Sequence, residues 1–413
     1  MTARPPLPGG PYLIVGLARS GVAAARMLRA HGEVLAVDAG RPEVPDDLPA
    51  ELDSDGLGLL ERAAVVVKSP GVPNEAPVIA AARERGLPVL GELELAWRLL
   101  PNRFVAITGT NGKTTTVELL GAIWRAAALP VAVAGNVGTP ASTLVGDVDP
   151  GATVICEVSS FQAEDADAFA PDLGVLLNLT PDHLDRHGSF EAYRDAKLSM
   201  FARQTPDQVA IGPDWIDLPG EARRVPVIEP PLAADEIRLR GPHNHENAAA
   251  AATAAREAGV PDEAVAEALR TFAGVPHRLE EVATVDGVLY VNDSKATNVS
   301  AAVRGVESFF SGVHLILGGS LKGGGFAELR EPVAERCRAC YLIGEAADEL
   351  AADLRESGVP LHRSGDLETA VAAAGEAARE GEVVLLSPAC ASYDQFRDYE
   401  ERGERFRSLV SRA

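Results

Sequence analysis

The sequence predicts an α/β fold built from three lobes, and three observations lead to that prediction. Short apolar runs typical of buried strands recur along the chain, from "YLIVG" to "EVVLLSPA". Helical stretches alternate with these runs, which favours parallel sheets. The 413 residues also exceed the size of one ordinary core. We predict an N-terminal Rossmann-like lobe (1–98), a central P-loop ATPase-like parallel sheet (99–275) and a C-terminal Rossmann-like lobe (276–413).

Composition and charge narrow the classes of function. The chain is 46% hydrophobic and 24% charged, which is typical of a globular protein, and no apolar run approaches the roughly 18 residues of a membrane span. A net charge of −22 argues against a nucleic-acid partner. The N-terminus shows no secretory pattern, and the CxxC pair Cys337 and Cys340 has no second pair to complete a zinc site. We expect a cytoplasmic monomer that does not insert into a membrane.

Lysine is rare, and its few positions are informative. The chain has 33 arginines and only five lysines, which are Lys68, Lys113, Lys197, Lys295 and Lys322. An ammonium differs from a guanidinium because it is compact, titratable and nucleophilic. The retained lysines are therefore candidates for specific chemistry.

The first lobe contains a glycine motif after its first strand. "GLARSG" supplies Gly16, Ala18 and Gly21, and Asp38 closes the next strand. The pattern resembles the dinucleotide fingerprint, in which glycines let a pyrophosphate approach a helix and the acid binds a ribose hydroxyl. Plain packing of a helix against a strand would use the same glycines. Both interpretations stay open on the motif alone.

A second glycine loop, "ITGTNGKTTTVELL", opens a helix after a strand of the central lobe. Gly109 and Gly112 would bring backbone N–H groups, the helix dipole and the Lys113 ammonium into one volume suited to phosphate. Thr114 or Thr115 could place a hydroxyl on Mg²⁺. The alternative is a glycine turn with an exposed lysine, which the rarity of lysine disfavours.

Acidic residues and histidines follow two further strands of the central lobe. Glu157 ends "TVICEV", where a hard oxygen ligand for magnesium belongs, although a surface glutamate at a strand end would look the same. "TPDHLDRHGSF" places Asp182, His183, Asp185 and His187 just after "GVLLNL". Polar clusters at this edge of open α/β sheets are typical of functional sites.

Lys197 lies within the apolar stripe of a predicted helix. Phe190, Tyr193, Lys197 and Phe201 are spaced by three, four and four residues, after a favourable N-cap at Ser189. An inward-facing lysine would have a lowered pKa, and its neutral amine could act as a base or react with CO₂ to form a metal-binding carbamate. A lysine that extends along the apolar surface to solvent explains the spacing equally well.

The motifs together resemble a known family. "ITGTNGKTT", "CEVSSFQ", "TPDHLDRHGSFEAYRDAK", "GPHNHENAAAA", "NDSKATN" and "LSPACASYDQF" are similar to motifs of the Mur ligases of peptidoglycan synthesis, in particular the branch that adds D-glutamate. The resemblance covers all three lobes. It implies that ATP phosphorylates the carboxylate of UDP-N-acetylmuramoyl-L-alanine and that the amine of D-glutamate then displaces phosphate.

The resemblance also implies residues that bind ATP and metal. The ATP phosphates would be held by Gly109, Asn111, Gly112, Lys113, Thr114 and Thr115. Adenosine would lie among Asn244, Asn247, Arg278 and Asp293. One Mg²⁺ would be bound by Thr114 and Glu157, and a second by His183 and carbamylated Lys197. The catalytic residues would be Lys113, His183 and Lys197.

Residues for the two other substrates follow in the same way. The nucleotide sugar would contact Arg19, Ser20, Asp38, Gly71, Asn136 and His183. D-Glutamate would contact Thr297, Lys322, Ser392, Tyr393 and Tyr399, with Lys295 also functional. The family commonly has phenylalanine at position 399, an acid at Gly325 and a less aromatic residue at position 393. These departures lie near the expected amino-acid pocket.

Three other functions are compatible with part of the sequence. A folylpolyglutamate synthetase shares the GTNGKT loop but lacks the first-lobe nucleotide fold and the "SPACAS" ending. An NAD(P)-dependent oxidoreductase would use "GLARSG" but would leave the second glycine loop unexplained. A non-catalytic nucleotide-binding relative would not need Lys113, Glu157, His183 and Lys197 together.

Overall fold

The computed structural model describes residues 4–321 and 325–412 and contains three sheets flanked by helices. The chain forms two compact units. The first holds residues up to Glu236 together with Glu246–Arg270, and the second holds Ile237–His245 and the chain from Thr271 onward. The predicted α/β class with parallel sheets is confirmed. The lobe boundaries at residues 98 and 275 remain predictions.

The first sheet has four parallel strands in the order β2-β1-β3-β4. The chain leaves β1 toward β2 and leaves β3 toward β4, in opposite directions across the sheet, and open sheets bind ligands at the carboxyl ends of strands where such a switch occurs. The elements are β1 (Tyr12–Val15), α1 (Arg19–Leu28), β2 (Val34–Val37), α2 (Leu57–Leu60), β3 (Val65–Lys68), α3 (Pro77–Glu84), β4 (Val89–Gly91) and α4 (Glu92–Leu99).

The second sheet has six parallel strands in the order β10-β9-β8-β5-β7-β6. Its carboxyl edge gathers the loops that follow β5, β7 and β8. The elements are β5 (Arg103–Thr108), α5 (Lys113–Ala126), β6 (Val131–Gly135), β7 (Thr153–Glu157), α6 (Ser160–Glu164), β8 (Leu173–Leu176), α7 (Leu184–His187), α8 (Phe190–Ala202), β9 (Val209–Gly212), β10 (Arg223–Pro226), α9 (Pro242–Glu257) and α10 (Asp262–Thr271).

The third sheet, in the second unit, has the order β11-β12-β16-β13-β14-β15, with only β11 antiparallel. Asp286 and Gly287, both at positive φ, form the tight turn between β11 and β12. The elements are β11 (Glu280–Val285), β12 (Val288–Asn292), α11 (Val299–Glu307), β13 (Val313–Gly318), α12 (Arg330–Arg336), β14 (Cys337–Ile343), α13 (Ala347–Asp353), β15 (Leu361–Gly365), α14 (Leu367–Ala377), β16 (Val383–Leu386) and α15 (Tyr399–Val410).

The first two sheets share one hydrophobic core. Phe169 packs edge-to-face against Trp97 of α4 and Phe104 of β5, with ring centroids 5.6 and 6.1 Å apart. The buried Glu94 carboxylate of α4 accepts hydrogen bonds from the backbone N–H groups of Ala168 and Phe169, at 3.1 and 2.7 Å. Apolar packing and a satisfied buried charge therefore join the two sheets into one unit.

Among the described residues, no helix is both long and apolar enough to cross a membrane.

We predict that Gly21→Ala destabilises the first unit. An added Cβ would lie 1.9 Å from the Gly16 carbonyl oxygen and 2.8 Å from Ser69 Oγ, so α1 would have to move away from β1. The expected loss is about 1–3 kcal/mol, measured by thermal and urea unfolding. Gly58→Ala, in a helix with no atom within 4 Å of the new methyl, is the control and should be neutral or slightly stabilising. Equal stability of both variants would contradict the prediction.

Candidate active site

The glycine loop between β5 and α5 forms the centre of the candidate site. Gly109 and Gly112 have φ of +147° and +85°, and a Cβ at Gly112 would lie 2.1 Å from Asn247 Oδ1. The Lys113 ammonium donates to the carbonyl oxygens of Gly109 and Thr110, both at 2.9 Å. The ammonium and the N-terminus of a 14-residue helix therefore adjoin one volume, which suits an anion.

Side chains from the neighbouring strand and helix hold this loop in place. Thr110 Oγ1 donates to the Thr180 carbonyl and accepts from the Thr180 N–H, each at 3.0 Å. Tyr193 of α8 donates its hydroxyl to the same Thr110 oxygen at 3.0 Å. Asn178 exchanges hydrogen bonds with the backbone of Asn111, at 2.9 and 3.2 Å. The loop is thus positioned before any ligand binds.

Glu157 ends β7 with a buried carboxylate that is only half satisfied. Oε1 accepts from Asn136 Nδ2 at 3.1 Å, whereas Oε2 has no hydrogen-bond partner among the described residues. A buried carboxylate oxygen without a partner is costly, and a hard cation would satisfy it. The donor chemistry therefore fits Mg²⁺. Within the described ranges, no group of three His, Cys, Asp or Glu side chains converges on a metal position.

Lys197 is buried on α8, so it does not extend to solvent. Its Nζ donates to the Gly109 carbonyl at 2.8 Å and lies 4.8 Å from the centroid of the Tyr193 ring. Burial, and then the charge of Lys113, lower the pKa of Lys197 to about 6, while Asp182 and Glu157 oppose the shift. The amine is therefore mostly neutral at pH 7, as a nucleophile or base requires.

His183 lies at the same edge but is half exposed. Its backbone is left-handed (φ 49°), its Nε2 lies 3.6 Å from Asp182 Oδ2, and its ring meets Phe161 edge-to-face at 5.1 Å. The nearby His187 ring stacks on Phe161, with ring centroids 5.2 Å apart, and its Nε2 lies 3.0 Å from Ser160 Oγ. Both rings are thus oriented by aromatic contact.

A cavity of about 460 Å³ opens at the carboxyl end of β1 and β3. Of the residues predicted to bind the nucleotide sugar, Ser20, Asp38, Gly71 and Asn136 line it. Arg19 does not line it but donates to the Gly138 carbonyl, at 3.2 Å, in the loop that carries Asn136. Asn136 therefore contacts Glu157 and also borders this cavity.

Four polar residues of the cavity wall were not predicted from the sequence, namely Ser54, Asp55, Ser69 and Gln162. For two of them, the sequence contains a pattern from which the position could have been predicted. Ser69 directly follows β3, and Gln162 is the third residue of a capping box whose N-cap is Ser159. Ser54 and Asp55 lie in a loop without a comparable pattern.

The predicted adenosine residues are divided between the two units. Asn247 belongs to the first unit and lies against Gly112, whereas Asn244, Arg278 and Asp293 belong to the second. Asp293 accepts from Ser387 Oγ at 2.7 Å and from the Leu279 N–H at 3.2 Å. Burial raises the pKa of Asp293 to about 7, despite these hydrogen bonds.

The predicted amino-acid residues follow β12 and β16 of the third sheet, namely Lys295, Thr297, Ser392, Tyr393 and Tyr399. Lys295 Nζ lies 5.1 Å from the Tyr399 ring centroid, which is a cation–π distance. Ser392 is buried and Tyr393 is exposed. Lys322 lies outside the described residues.

Arg402 of α15 was missed and is fully buried among these loops. Its guanidinium donates to the carbonyl oxygens of Ser294, Gly318, Cys390 and Ala391 and to the Ser294 hydroxyl, at 2.9–3.3 Å. Burial lowers its pKa to about 10. Arg402, Phe406 and Val410 recur every four residues, so the helical spacing already indicated an inward-facing arginine.

Comparison with protein families identifies the class of protein. The Mur ligase middle domain matches residues 107–217, and the Mur ligase glutamate ligase domain matches residues 277–390. Together these matches include the glycine loop, Glu157, Lys197 and Asp293. The chain belongs to the Mur ligase family, as the sequence motifs predicted.

Full-length relatives narrow the family to one branch. Proteins named UDP-N-acetylmuramoylalanine–D-glutamate ligase are 44% identical in Acidobacterium capsulatum (98% of this chain, 96% of that protein) and 42% identical in Anaeromyxobacter dehalogenans (99% of both). Two Thermotoga maritima structures, 18% identical, share the fold. They are the alanine ligase MurC (TM-score 0.60; 98% and 99% covered) and a MurF ligase in complex with ADP (TM-score 0.59; 98% and 96% covered).

We predict that Asp293 makes the stability of the second unit depend on pH. Because its pKa rises from about 4 in the unfolded chain to about 7 when folded, the folded state binds the proton more tightly. This contribution favours folding at pH 4 and declines as the pH rises to 7. Asp293→Asn, which resembles the neutral form, should therefore gain melting temperature relative to wild type across that window.

Asn can keep both hydrogen bonds of Asp293 if its amide nitrogen faces Ser387, whose hydroxyl can accept. The control is Asp286→Asn, at the exposed turn between β11 and β12, whose melting curve should parallel wild type. A constant difference between Asp293→Asn and wild type from pH 4 to 7 would refute the prediction.

Proposed function

We propose that this chain joins D-glutamate to UDP-N-acetylmuramoyl-L-alanine, with ATP as the phosphoryl donor. The terminal carboxylate takes the γ-phosphate to form an acyl phosphate, and the glutamate amine then displaces phosphate to leave an amide. One observation carries the proposal. Asn136 hydrogen-bonds to Glu157 beside the glycine loop and also lines the first-sheet cavity, so one residue borders both candidate sites.

The glycine loop supplies the charge that phosphoryl transfer requires. Lys113 donates to two carbonyl oxygens of its own loop, and phosphate oxygens can replace these acceptors. Carboxylate and triphosphate repel each other, so the ammonium and the helix N-terminus lower the barrier by neutralising both. Thr110, Asn178 and Tyr193 keep the loop in position during the exchange.

Two Mg²⁺ ions would neutralise the remaining negative charge of the substrate carboxylate and the triphosphate. Thr114 and Glu157 would hold one, because Glu157 Oε2 lacks a partner in the described chain. His183 and carbamylated Lys197 would hold the other. The ions would supply Lewis-acid stabilisation of the transferred phosphoryl group.

The environment of Lys197 supports the proposed carbamylation. A neutral amine adds to CO₂ with loss of one proton, which forms an N–C bond and leaves a carbamate anion. The lowered pKa of Lys197 provides the neutral amine at pH 7, and the Tyr193 ring and the Lys113 charge lie close by. The Lys113 charge, which disfavours an ammonium at position 197, would attract the carbamate anion instead.

The remaining predicted residues would bind the other two ligand groups. Asn244, Asn247, Arg278 and Asp293 would bind adenosine, and Thr297, Ser392, Tyr393, Tyr399 and Lys322 would bind D-glutamate with the help of Lys295. Arg402 supports this proposal because it holds together the loops that carry Ser392 and Lys295. We further propose that the chain acts as a cytoplasmic monomer.

A coupled assay for phosphate release tests the proposed reaction. Release should require ATP, UDP-N-acetylmuramoyl-L-alanine and D-glutamate together, and L-glutamate should not substitute. Glu157→Gln should lower kcat by roughly a hundredfold or more, because the metal contact is worth several kcal/mol. The matched control is Glu118→Gln on α5, with expected activity near wild type. Release without the nucleotide sugar, or equal release with L-glutamate, would contradict the proposal.

Carbon-13 NMR tests the carbamate on Lys197. Wild-type protein equilibrated with ¹³C-bicarbonate should show a carbamate resonance, and Lys197→Met should lack it while melting at a similar temperature. Lys197→Met should also lose activity by roughly a hundredfold. A resonance of equal intensity in the variant would assign it to another amine and refute this role for Lys197.

A further inference from the structure

A buried ion pair joins the first sheet to the second within the first unit. Lys68 ends β3 and Asp165 follows α6, and Lys68 Nζ lies 2.6 Å from Asp165 Oδ2. Both side chains are almost completely inaccessible, at 0% and 1% exposure. The predicted chemistry uses neither residue, although Lys68 is one of only five lysines.

Asp165 is attached to the first sheet at a second point. The Gly91 N–H, at the end of β4, donates to the Asp165 carbonyl at 2.7 Å. Because β3 and β4 are adjacent parallel strands, their ends reach Asp165 side by side. The end of α6 is therefore held by its side chain and its backbone together.

The pair joins two segments that line the first-sheet cavity. The segment Ser69–Val72 directly follows Lys68 and lines the cavity. Gln162, three residues before Asp165 on α6, lines it as well. We call these lining segments the Ser69–Val72 wall and the Gln162 wall, and one buried contact connects the chain next to each of them.

Two other contacts involve these segments, and both are more exposed to water. Asn74, just after the Ser69–Val72 wall, donates from Nδ2 to Glu164 Oε1 of α6 at 2.9 Å. Arg186, which lies on α7, donates from Nη2 to the Val72 carbonyl at 2.6 Å. Water competes for and screens such contacts, whereas it does not reach the Lys68–Asp165 pair. The buried pair is therefore the contact best able to set the separation of the walls.

We propose that Lys68 and Asp165 are positioning residues that set the separation between the Ser69–Val72 wall and the Gln162 wall, and so determine affinity for the nucleotide sugar. This inference rests on the proposed function for the identity of the ligand. Neither residue touches the reacting atoms. The pair acts on the substrate only through the two walls, and the glycine loop is not part of either wall.

A set of variants separates positioning from simple stability. Asp165→Asn should lower the melting temperature, since it leaves a buried ammonium without its counter-ion. Lys68→Met/Asp165→Leu removes both charges and should regain most of that stability, because apolar replacements of buried pairs are often neutral. In both variants, the KM for UDP-N-acetylmuramoyl-L-alanine should rise about tenfold or more, while the KM for ATP stays within about twofold.

Glu164→Gln is the matched control, because it alters an exposed contact between the same segments and should leave both KM values unchanged. Return of the nucleotide-sugar KM to the wild-type value in the stable double variant would overturn the proposal and make the pair purely structural. An equal rise in the KM for ATP would also overturn it.

A binding experiment distinguishes failure of the positioning role from failure of the proposed reaction. Wild type and the double variant are titrated calorimetrically with UDP-N-acetylmuramoyl-L-alanine in the absence of ATP. Weaker binding by the double variant supports the positioning role even if wild type shows no ligase activity, in which case only the proposed reaction fails. Equal binding by the two proteins overturns the positioning role and leaves the proposed reaction intact.

Discussion

The half-satisfied carboxylate of Glu157 is the constraint on which the candidate site depends. A buried anion at a strand end is unfavourable unless positive charge or donors surround it. Asn136 satisfies one oxygen, and the charge of Glu157 in turn opposes the lowering of the Lys197 pKa. Burial and the Lys113 charge disfavour the ammonium form of Lys197, and Glu157 partly offsets both effects. Lys113 thus supplies local positive charge in a chain whose net charge of −22 would otherwise repel a triphosphate.

These groups lie together because the parallel strands that carry them end at the same edge of the sheet, so no specific contact between distant side chains is needed to bring them there. The glycine loop follows β5, Glu157 ends β7, and Thr180 follows β8, and all three strands finish at the same edge. This is why the strand patterns were enough to predict the cluster. The stripe that contains Lys197 could be predicted for the same reason, because helical spacing is local, and the N-cap at Ser189 is confirmed.

Contacts between distant segments could not be predicted in that way. Lys68 and Asp165 are 97 residues apart in sequence. Neither residue lies in a sequence motif that would indicate its partner. The edge strands β10 and β15 were missed because their mostly solvated residues lack an apolar run. Arg402 is different, because it could have been predicted. It lies four residues before Phe406, and this helical spacing of inward-facing residues is the pattern that identified Lys197.

In the first lobe, the two interpretations of "GLARSG" turn out to be compatible. Gly21 allows close packing of α1 on β1, while Gly16 and Asp38 also line the cavity. Asp38 accepts from the Leu17 and Gly40 N–H groups, one at each oxygen, at 2.7 and 2.8 Å. Each carboxylate oxygen keeps further acceptor capacity for a ribose hydroxyl. The same side chain can therefore fix the loop and bind a ligand, which is why a packing motif and a binding motif coincide in sequence.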